Sequence, residues 1–237
     1  MARFKAVVFD IDHTLIDFIA MKRYAIEHTA WALVDTGLNM TVEEAFNELW
    51  KVQLENIESD NWLSEFLKKV QGYETDLQIA AGTKAYQHAR DLMQRPYPHT
   101  RLTLTKLLKK GVKLGALTDA PSLKGYKRII GMDFTEFFYE EDGYAIFTPK
   151  ETGVHKPDPK GFYMVLEKLS VKPYEALMVG DHPVKDIEGA RKVGMKTAFA
   201  KYGAKGQYRT DLPAFDESQA DYVLNDISDL VDIVCQG

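Results

Sequence analysis

The stretch VVFDIDHTL, residues 7–15, places two carboxylates directly after a run of apolar residues. The segment KAVVF, residues 5–9, is apolar and β-branched, which is typical of a short buried strand. If the backbone stays extended, Asp10 and Asp12 project to the same side. Two close carboxylates repel each other, so one keeps its proton or both need a cation. The simpler interpretation is a turn in which Thr14 caps the next helix.

Composition indicates an ordinary globular chain and excludes several classes of function. Of 237 residues, 45% are hydrophobic and 27% charged, and the formal net charge is -5. A mildly acidic chain lacks the basic surface that nucleic-acid binding needs. No stretch approaches the roughly 18 uncharged apolar residues of a membrane helix. The single cysteine, Cys235, cannot form an internal disulfide, which favours a reducing compartment. We therefore expect a soluble cytoplasmic protein that binds neither nucleic acid nor membrane.

The chain between residues 17 and 95 has helical spacing and no convincing strand. Thr41 and Glu44 form a capping-box pattern that predicts a helix start. Gly37 is placed to end the helix before it. Helices are predicted over residues 20–36, 41–57, 61–70 and 76–94. We expect this block to form a separate helical domain.

After the proline-rich junction at residues 95–99, predicted strands alternate with predicted helices. Strands are expected at 112–120, 176–181, 195–203 and 220–226, and helices at 100–111, 122–130, 158–170 and 184–194. Such alternation predicts a parallel sheet with helices on both faces. The expected fold is therefore a doubly wound α/β core, residues 1–16 and 96–237, with the helical block inserted after its first strand.

Polar residues follow the predicted strands, where open α/β sheets bind ligands. Thr118 ends one strand, and its hydroxyl with the following N–H groups can hold an anion. Lys156, in HKPDP, precedes a proline and a core helix, where its ammonium can neutralise phosphate charge. Asp181 and Asp186, in VGDHPVKD, offer the oxygen ligands that Mg²⁺ prefers. Each alone is more simply a helix cap or a surface charge. Together they supply what phosphoryl transfer needs.

These four stretches, in this order, resemble the motifs of the haloacid dehalogenase-like hydrolase superfamily. Its DxDx[TV] pattern is matched by Asp10 to Thr14, and its strand-ending Thr or Ser by Thr118. Its lysine before a helix is matched by Lys156, and its GDxxxxD pattern by residues 180–186. The resemblance spans most of the chain. It implies that residues 17–95 are an α-helical cap that closes over the site and selects the substrate.

The resemblance also implies a mechanism for a small phosphate ester. Asp10 would attack phosphorus and form an aspartyl-phosphate, while Asp12 would serve as acid and then as base. Thr118, the Asp119 N–H and Lys156 would bind phosphate oxygens. Mg²⁺ would be held by the Asp10 side chain, the Asp12 carbonyl and Asp181, with Asp186 behind these ligands or bridged by water. Dehalogenases of the family lack the second Asp, so Asp12 favours phosphatase chemistry.

Some features leave alternatives open. His13, Asp119 and Lys185 stand where the family often has Gly, Asn and Asn. His13, His155 and His182 flank motif residues, and we interpret them mainly as loop residues, with substrate contact as the alternative. A phosphomutase or phosphotransferase would carry the same motifs, and a catalytically silent phosphate-binding module is the non-enzymatic alternative. A cap surface is compatible with a homodimer.

Overall fold

The computed structural model describes residues 2–55, 61–204 and 212–235. The chain divides into two compact units, Met1–Asp17 with Arg95–Gly237, and Phe18–Gln94. The sequence predicts junctions after residues 16 and 95, and the assignment of residues 17–95 as a cap stays a prediction. In the described part of the chain, no helix is long and apolar enough to cross a membrane.

The first unit is built on a six-stranded parallel sheet of order β5-β2-β1-β6-β7-β8. Its strands are β1 (Ala6–Phe9), β2 (Lys113–Leu117), β5 (Ile146–Phe147), β6 (Ala176–Gly180), β7 (Lys196–Ala200) and β8 (Tyr222–Leu224). A small antiparallel hairpin joins β3 (Tyr139–Glu140) and β4 (Gly143–Tyr144). The expected α/β class with a parallel sheet is confirmed. The two-residue strands were not predicted, because they are too short to show a periodic pattern.

Helices of the first unit connect these strands. They are α5 (Thr100–Lys109), α6 (Ser122–Gly131), α7 (Pro149–Thr152), α8 (Pro159–Leu169), α9 (Gly189–Lys192), α10 (Lys201–Ala204) and α11 (Asp229–Cys235). A π-helical turn, Pro183–Glu188, leads into α9. One correction concerns residues 201–203, which were predicted to extend a strand and instead begin α10.

The sheet core explains why β1 is apolar throughout. Ala6, Val8 and Met178 pack with Phe162 and Val165 of α8 in one buried cluster. Since every residue of β1 is buried and both of its neighbours are parallel strands, the strand reads as a continuous apolar run rather than an alternating one. Phe9 pairs in register with Ala116 of β2 and Val179 of β6. The three strands therefore end within one residue of the same level.

Among its described residues, the second unit contains four helices around an apolar core of its own. They are α1 (Phe18–Asp35), α2 (Val42–Glu55), α3 (Trp62–Gln71) and α4 (Asp76–Leu92). The predicted capping box is present, with the Thr41 N–H donating to Glu44 Oε2 at 2.8 Å and the Glu44 N–H donating to Thr41 Oγ1 at 3.2 Å. The core includes Ile26, Leu33 and Phe66. The predicted end of the second helix, near residue 57, lies outside the described residues.

Candidate active site

The carboxyl ends of β1, β2 and β6 carry the residues singled out in the sequence. Asp10 follows β1, Thr118 follows β2 and Asp181 follows β6. Carboxylate oxygens of Asp10, Asp181 and Asp186 all lie within 4.8 Å of one another. All three side chains are buried. The parallel register thus gathers one acidic cluster from distant parts of the chain.

Lys156 lies inside this acidic cluster. Its Nζ is 2.6 Å from Oδ1 of Asp10 and 2.6 Å from Oδ1 of Asp186. Burial lowers the pKa of Lys156, but the charges of Asp10, Asp186 and Asp119 outweigh it and raise that pKa above the ordinary value. The side chain is therefore a fixed ammonium, held by the loop before α8 rather than solvated at the surface.

The electrostatics of Asp10 show that one ammonium does not balance the cluster. Burial raises the pKa of the Asp10 carboxyl well above its ordinary value, against the opposing charge of Lys156. Asp186, Asp181 and Asp12 raise that pKa further. Three buried carboxylates beside one ammonium leave an excess of negative charge, which is costly without a further cation. These oxygen donors can hold a metal ion, and they fit a hard divalent cation.

The GDxxxxD segment shows a local reason for its glycine. Gly180 ends β6, and its near neighbour is the side chain of Asp186. A Cβ on Gly180 would overlap the Asp186 carboxylate. The π-helical turn brings that carboxylate back, and its Oδ2 accepts the His182 N–H at 3.0 Å. Gly180 therefore makes room for Asp186 to enter the cluster.

Asp119 and Thr118 each make a contact that sequence did not predict. The Asp119 side chain accepts the Lys156 N–H at 2.8 Å and lies 3.4 Å from Lys185 Nζ. This hydrogen bond connects the loop that carries Lys156 to the end of β2. The Thr118 hydroxyl accepts the Ala120 N–H at 3.1 Å. Thr118 is almost fully buried.

Asp12 turns toward a different cation from Asp10. Its Oδ2 lies 2.9 Å from Nη1 of Arg128 on α6, and the exposed fractions of the two side chains are 23% and 7%. Sequence reasoning missed Arg128, because an arginine in a helix carries no motif. Thr14, also in this stretch, donates from Oγ1 to Asp181 Oδ1 at 3.3 Å.

The turn that follows β1 is supported from α10. His13 adopts a left-handed backbone conformation, with φ of 59°. The Tyr202 hydroxyl donates to the Thr14 carbonyl at 2.7 Å, and a Cβ on Gly203 would overlap the His13 carbonyl. Close backbone approach therefore requires glycine at position 203. No sequence signal identified this support.

The three histidines that flank motif residues differ in burial and in their contacts. His13 is buried in the turn, whereas the His155 side chain is largely exposed and lies 3.7 Å from Asp119 Oδ1. The His182 Nδ1 accepts the N–H groups of Val184 and Lys185 at 3.2 and 3.3 Å. His182 thus caps the π-helical turn.

Comparison with known proteins shows that this chain is similar to phosphatases. A family model described as haloacid dehalogenase-like hydrolase matches residues 4–194. The glyceraldehyde 3-phosphate phosphatase of Pyrococcus furiosus is 31% identical over 235 residues, 99% of this chain and 94% of that protein. The protein of the same name from Methanocaldococcus jannaschii is 33% identical, over 97% of this chain and 96% of its own length.

A solved structure resembles the whole chain. The HAD phosphatase from Thermococcus onnurineus is 26% identical and superposes with a TM-score of 0.63, covering 97% of both chains. The likeness extends over both compact units of the chain and is not confined to the motif-bearing strand ends.

Proposed function

The chain belongs to the haloacid dehalogenase-like hydrolase family, and we propose that its substrate is a phosphorylated three-carbon sugar such as glyceraldehyde 3-phosphate. The chain is a phosphatase, a hydrolase of phosphoric monoesters. The substrate proposal rests on one observation: curated relatives that align over nearly the whole chain carry the name of this activity. The acidic cluster beside Lys156 would act on any phosphate ester, so it does not indicate which ester is the substrate.

The proposed reaction starts with Asp10. One of its carboxylate oxygens forms a bond to phosphorus, the bond from phosphorus to the ester oxygen breaks, and Asp12 gives that oxygen a proton. Water then attacks the aspartyl-phosphate, gives its proton to Asp12 and releases Asp10 as a carboxylate. Support comes from the position of both residues directly after the buried strand β1.

Charge on the phosphoryl oxygens needs positive partners. We assign Lys156, the Thr118 hydroxyl and the Asp119 N–H to these oxygens, as the motif match implies. Asp10, Asp181 and Asp186, with the Asp12 carbonyl, would hold the metal ion, which we propose is Mg²⁺. When bound, the ion would stabilise the negative charge on the phosphoryl oxygens.

The helical unit is proposed to act as the cap that selects the ester. It enters the chain directly after the stretch that carries Asp10 and Asp12, since α1 begins at Phe18. Arg23, near the start of α1 and only partly buried, is the residue to vary. Its substitution with Ala should change KM among phosphate esters more than it changes kcat, whereas an unchanged ranking of esters would contradict a selecting role.

The test is a panel of phosphate esters at equal concentration with Mg²⁺, followed by phosphate release. The panel comprises glyceraldehyde 3-phosphate, dihydroxyacetone phosphate, glycerol 3-phosphate and phosphoserine, and the Asp10→Asn variant is the control. We expect kcat/KM for glyceraldehyde 3-phosphate to exceed the others by about tenfold or more, a difference of about 1.4 kcal/mol in transition-state binding. A flat profile, or preference for another ester, would contradict the substrate. Phosphoryl transfer to an added acceptor sugar would instead indicate a phosphotransferase.

A further inference from the structure

Arg128 lies outside the four motifs, yet it is a buried charge in contact with one of their carboxylates. Its side chain is 7% exposed, and its Nη1 lies 2.9 Å from Asp12 Oδ2. A buried guanidinium is costly unless a carboxylate pairs with it. We propose that Arg128 is a positioning residue that orients the Asp12 carboxyl for proton transfer. This inference rests on the proposed role of Asp12 as acid and base.

The two carboxylates of the first motif are divided between two cations. Asp10 contacts Lys156 at 2.6 Å, whereas Asp12 contacts Arg128 at 2.9 Å. Each carboxylate is therefore drawn in its own direction, and the two side chains can perform different tasks although they lie two residues apart. A shared cation would instead hold both in the same place.

The contact between Arg128 and Asp12 is an ion pair of 2.9 Å between Nη1 and Oδ2. Nη1 does not meet the geometry of a hydrogen bond, so the guanidinium acts on Asp12 through its charge and its fixed place on α6. A positive charge held beside one carboxylate oxygen sets the side toward which the carboxyl turns.

The position of Arg128 in the fold makes this contact rigid. It lies on the buried face of α6 together with Gly125 and Ile129. This helix follows β2, which pairs in parallel register with β1. The helix that follows Thr118 therefore reaches the side chain that follows β1, and a regular helix holds Arg128 better than a loop would.

The role of a proton donor depends on the leaving group. A poorly acidic phenol needs a proton as its bond to phosphorus breaks, whereas a nitrated phenolate leaves without one. The ratio kcat/KM covers the reaction up to this irreversible departure and excludes the later attack of water. A residue that acts through Asp12 should therefore affect slow leaving groups selectively, which loss of packing alone would not do.

The experiment compares Arg128→Met with Lys127→Met, a control that removes one exposed charge from the same helix. Phenyl, 4-nitrophenyl and 2,4-dinitrophenyl phosphate are hydrolysed with Mg²⁺. We expect Arg128→Met to reduce kcat/KM for phenyl phosphate by about 10- to 100-fold, part of the usual gain from a positioned acid, and for the dinitrophenyl ester by less than about threefold. The control should follow the wild type. Equal losses on all three esters would overturn the inference.

A double-mutant cycle asks whether Arg128 acts through Asp12. In an Asp12→Ala background, Arg128→Met should cause no further loss that depends on the leaving group. Additive losses would show that Arg128 acts elsewhere. If Arg128→Met does not fold, Arg128→Lys supplies the same test. It keeps a buried cation, but on a flexible stem that does not hold the charge in the same place, so the inference predicts that it too loses more on phenyl phosphate than on the dinitrophenyl ester.

The same assays separate the two claims. If the wild type hydrolyses none of the three aryl esters with Mg²⁺, the proposed mechanism fails before Arg128 is tested. If the wild type and Lys127→Met hydrolyse all three and Arg128→Met does so with an unchanged leaving-group dependence, only the role of Arg128 fails.

Discussion

The ammonium of Lys156 lies 2.6 Å from a carboxylate oxygen of Asp10, although the two residues are 146 positions apart in the chain. Both side chains are buried. The contact joins the turn after β1 to the loop before α8. It puts a positive charge against the carboxylate that we propose as nucleophile, where a phosphoryl group would bring further negative charge.

Lys156→Met should destabilise the metal-free protein, because it leaves buried carboxylates without their ammonium. Removing one partner of a buried ion pair costs about 3–5 kcal/mol of unfolding free energy. Urea unfolding in the presence of EDTA measures this loss. Lys185→Met, a half-exposed lysine near Asp119, is the matched control and should lose less than about 1 kcal/mol. Equal stabilities of Lys156→Met and the wild type would show that the ammonium does not balance this cluster.

Asp10→Asn should abolish turnover and stabilise the metal-free fold. Burial and neighbouring carboxylates raise the pKa of Asp10, so its ionised form costs stability at neutral pH. Phosphate release should fall by about a thousandfold or more, while the melting temperature in EDTA rises. Asp35→Asn, at an exposed carboxylate at the end of α1, should change neither. Substantial residual activity would remove Asp10 as the nucleophile.

Removal of Mg²⁺ should stop activity. Binding of Mg²⁺ should also raise the free energy of unfolding. EDTA should abolish phosphate release, and added Mg²⁺ should restore it. At about 100 times its dissociation constant, a ligand that binds only the folded state adds about 2.7 kcal/mol. Asp181→Asn should reduce this Mg²⁺-dependent rise in unfolding free energy, whereas Asp35→Asn should keep it. Full activity in chelator, or an unchanged rise in Asp181→Asn, would contradict the metal assignment.

Tyr202→Phe should change how stability depends on alkaline pH. Burial raises the pKa of Tyr202 well above its ordinary value, with Tyr97 and Asp181 adding to the effect. The folded state thus holds the phenol proton more tightly than the unfolded chain, where the pKa is about 10. The resulting stability is complete below about pH 10 and is lost as pH rises further.

The variant lacks that titration and the hydrogen bond to the Thr14 carbonyl. Its unfolding free energy should be about 1 kcal/mol lower than the wild type at about pH 8, and this gap should shrink at about pH 11. Denaturant unfolding at both pH values measures it. Tyr163→Phe, at an exposed tyrosine of α8, should show no such convergence. A gap that is constant with pH would contradict the effect of burial on Tyr202.

Gly203→Ala should disturb the turn after β1, because an added Cβ would overlap the His13 carbonyl. Overpacking typically costs about 1–3 kcal/mol. Here it would also displace the turn between Asp12 and Thr14, so activity should fall even where the protein stays folded. Melting temperature and phosphate release, measured together, separate the two effects. Wild-type values for both quantities would show that α10 can shift away from the His13 carbonyl without cost, and would contradict the prediction.

Local pattern predicted most elements of the fold, because β1 and the amphipathic helices bury one consistent set of residues. It failed where tertiary contacts decide the conformation. Residues 201–203 were predicted to continue a strand, since Ala200, Lys201 and Tyr202 are compatible with one. The chain turns into α10 instead, where Tyr202 and Gly203 meet the turn after β1.

The same distinction applies to the site. Strand ends marked Asp10, Thr118 and Asp181, because parallel strands deliver their last residues to one edge. No local sequence pattern identified Arg128, because its partner Asp12 follows a different strand, β1. The side-chain contact of Asp119 with the Lys156 loop was likewise invisible, since the sequence pattern suggested only its N–H group. These roles depend on how distant segments meet, and a single sequence does not show that.

The support that α10 gives to the turn after β1 has a consequence for the order in which the site is completed. All four motifs lie between residues 10 and 186, but Tyr202 and Gly203 come later. As a ribosome makes the chain, every proposed catalytic side chain emerges before the residues that hold the turn in place. A fragment that stops at residue 194 would contain each motif, yet it would lack β7, β8 and this support. We therefore expect such a fragment to be inactive, although a search for motifs alone would rate it complete.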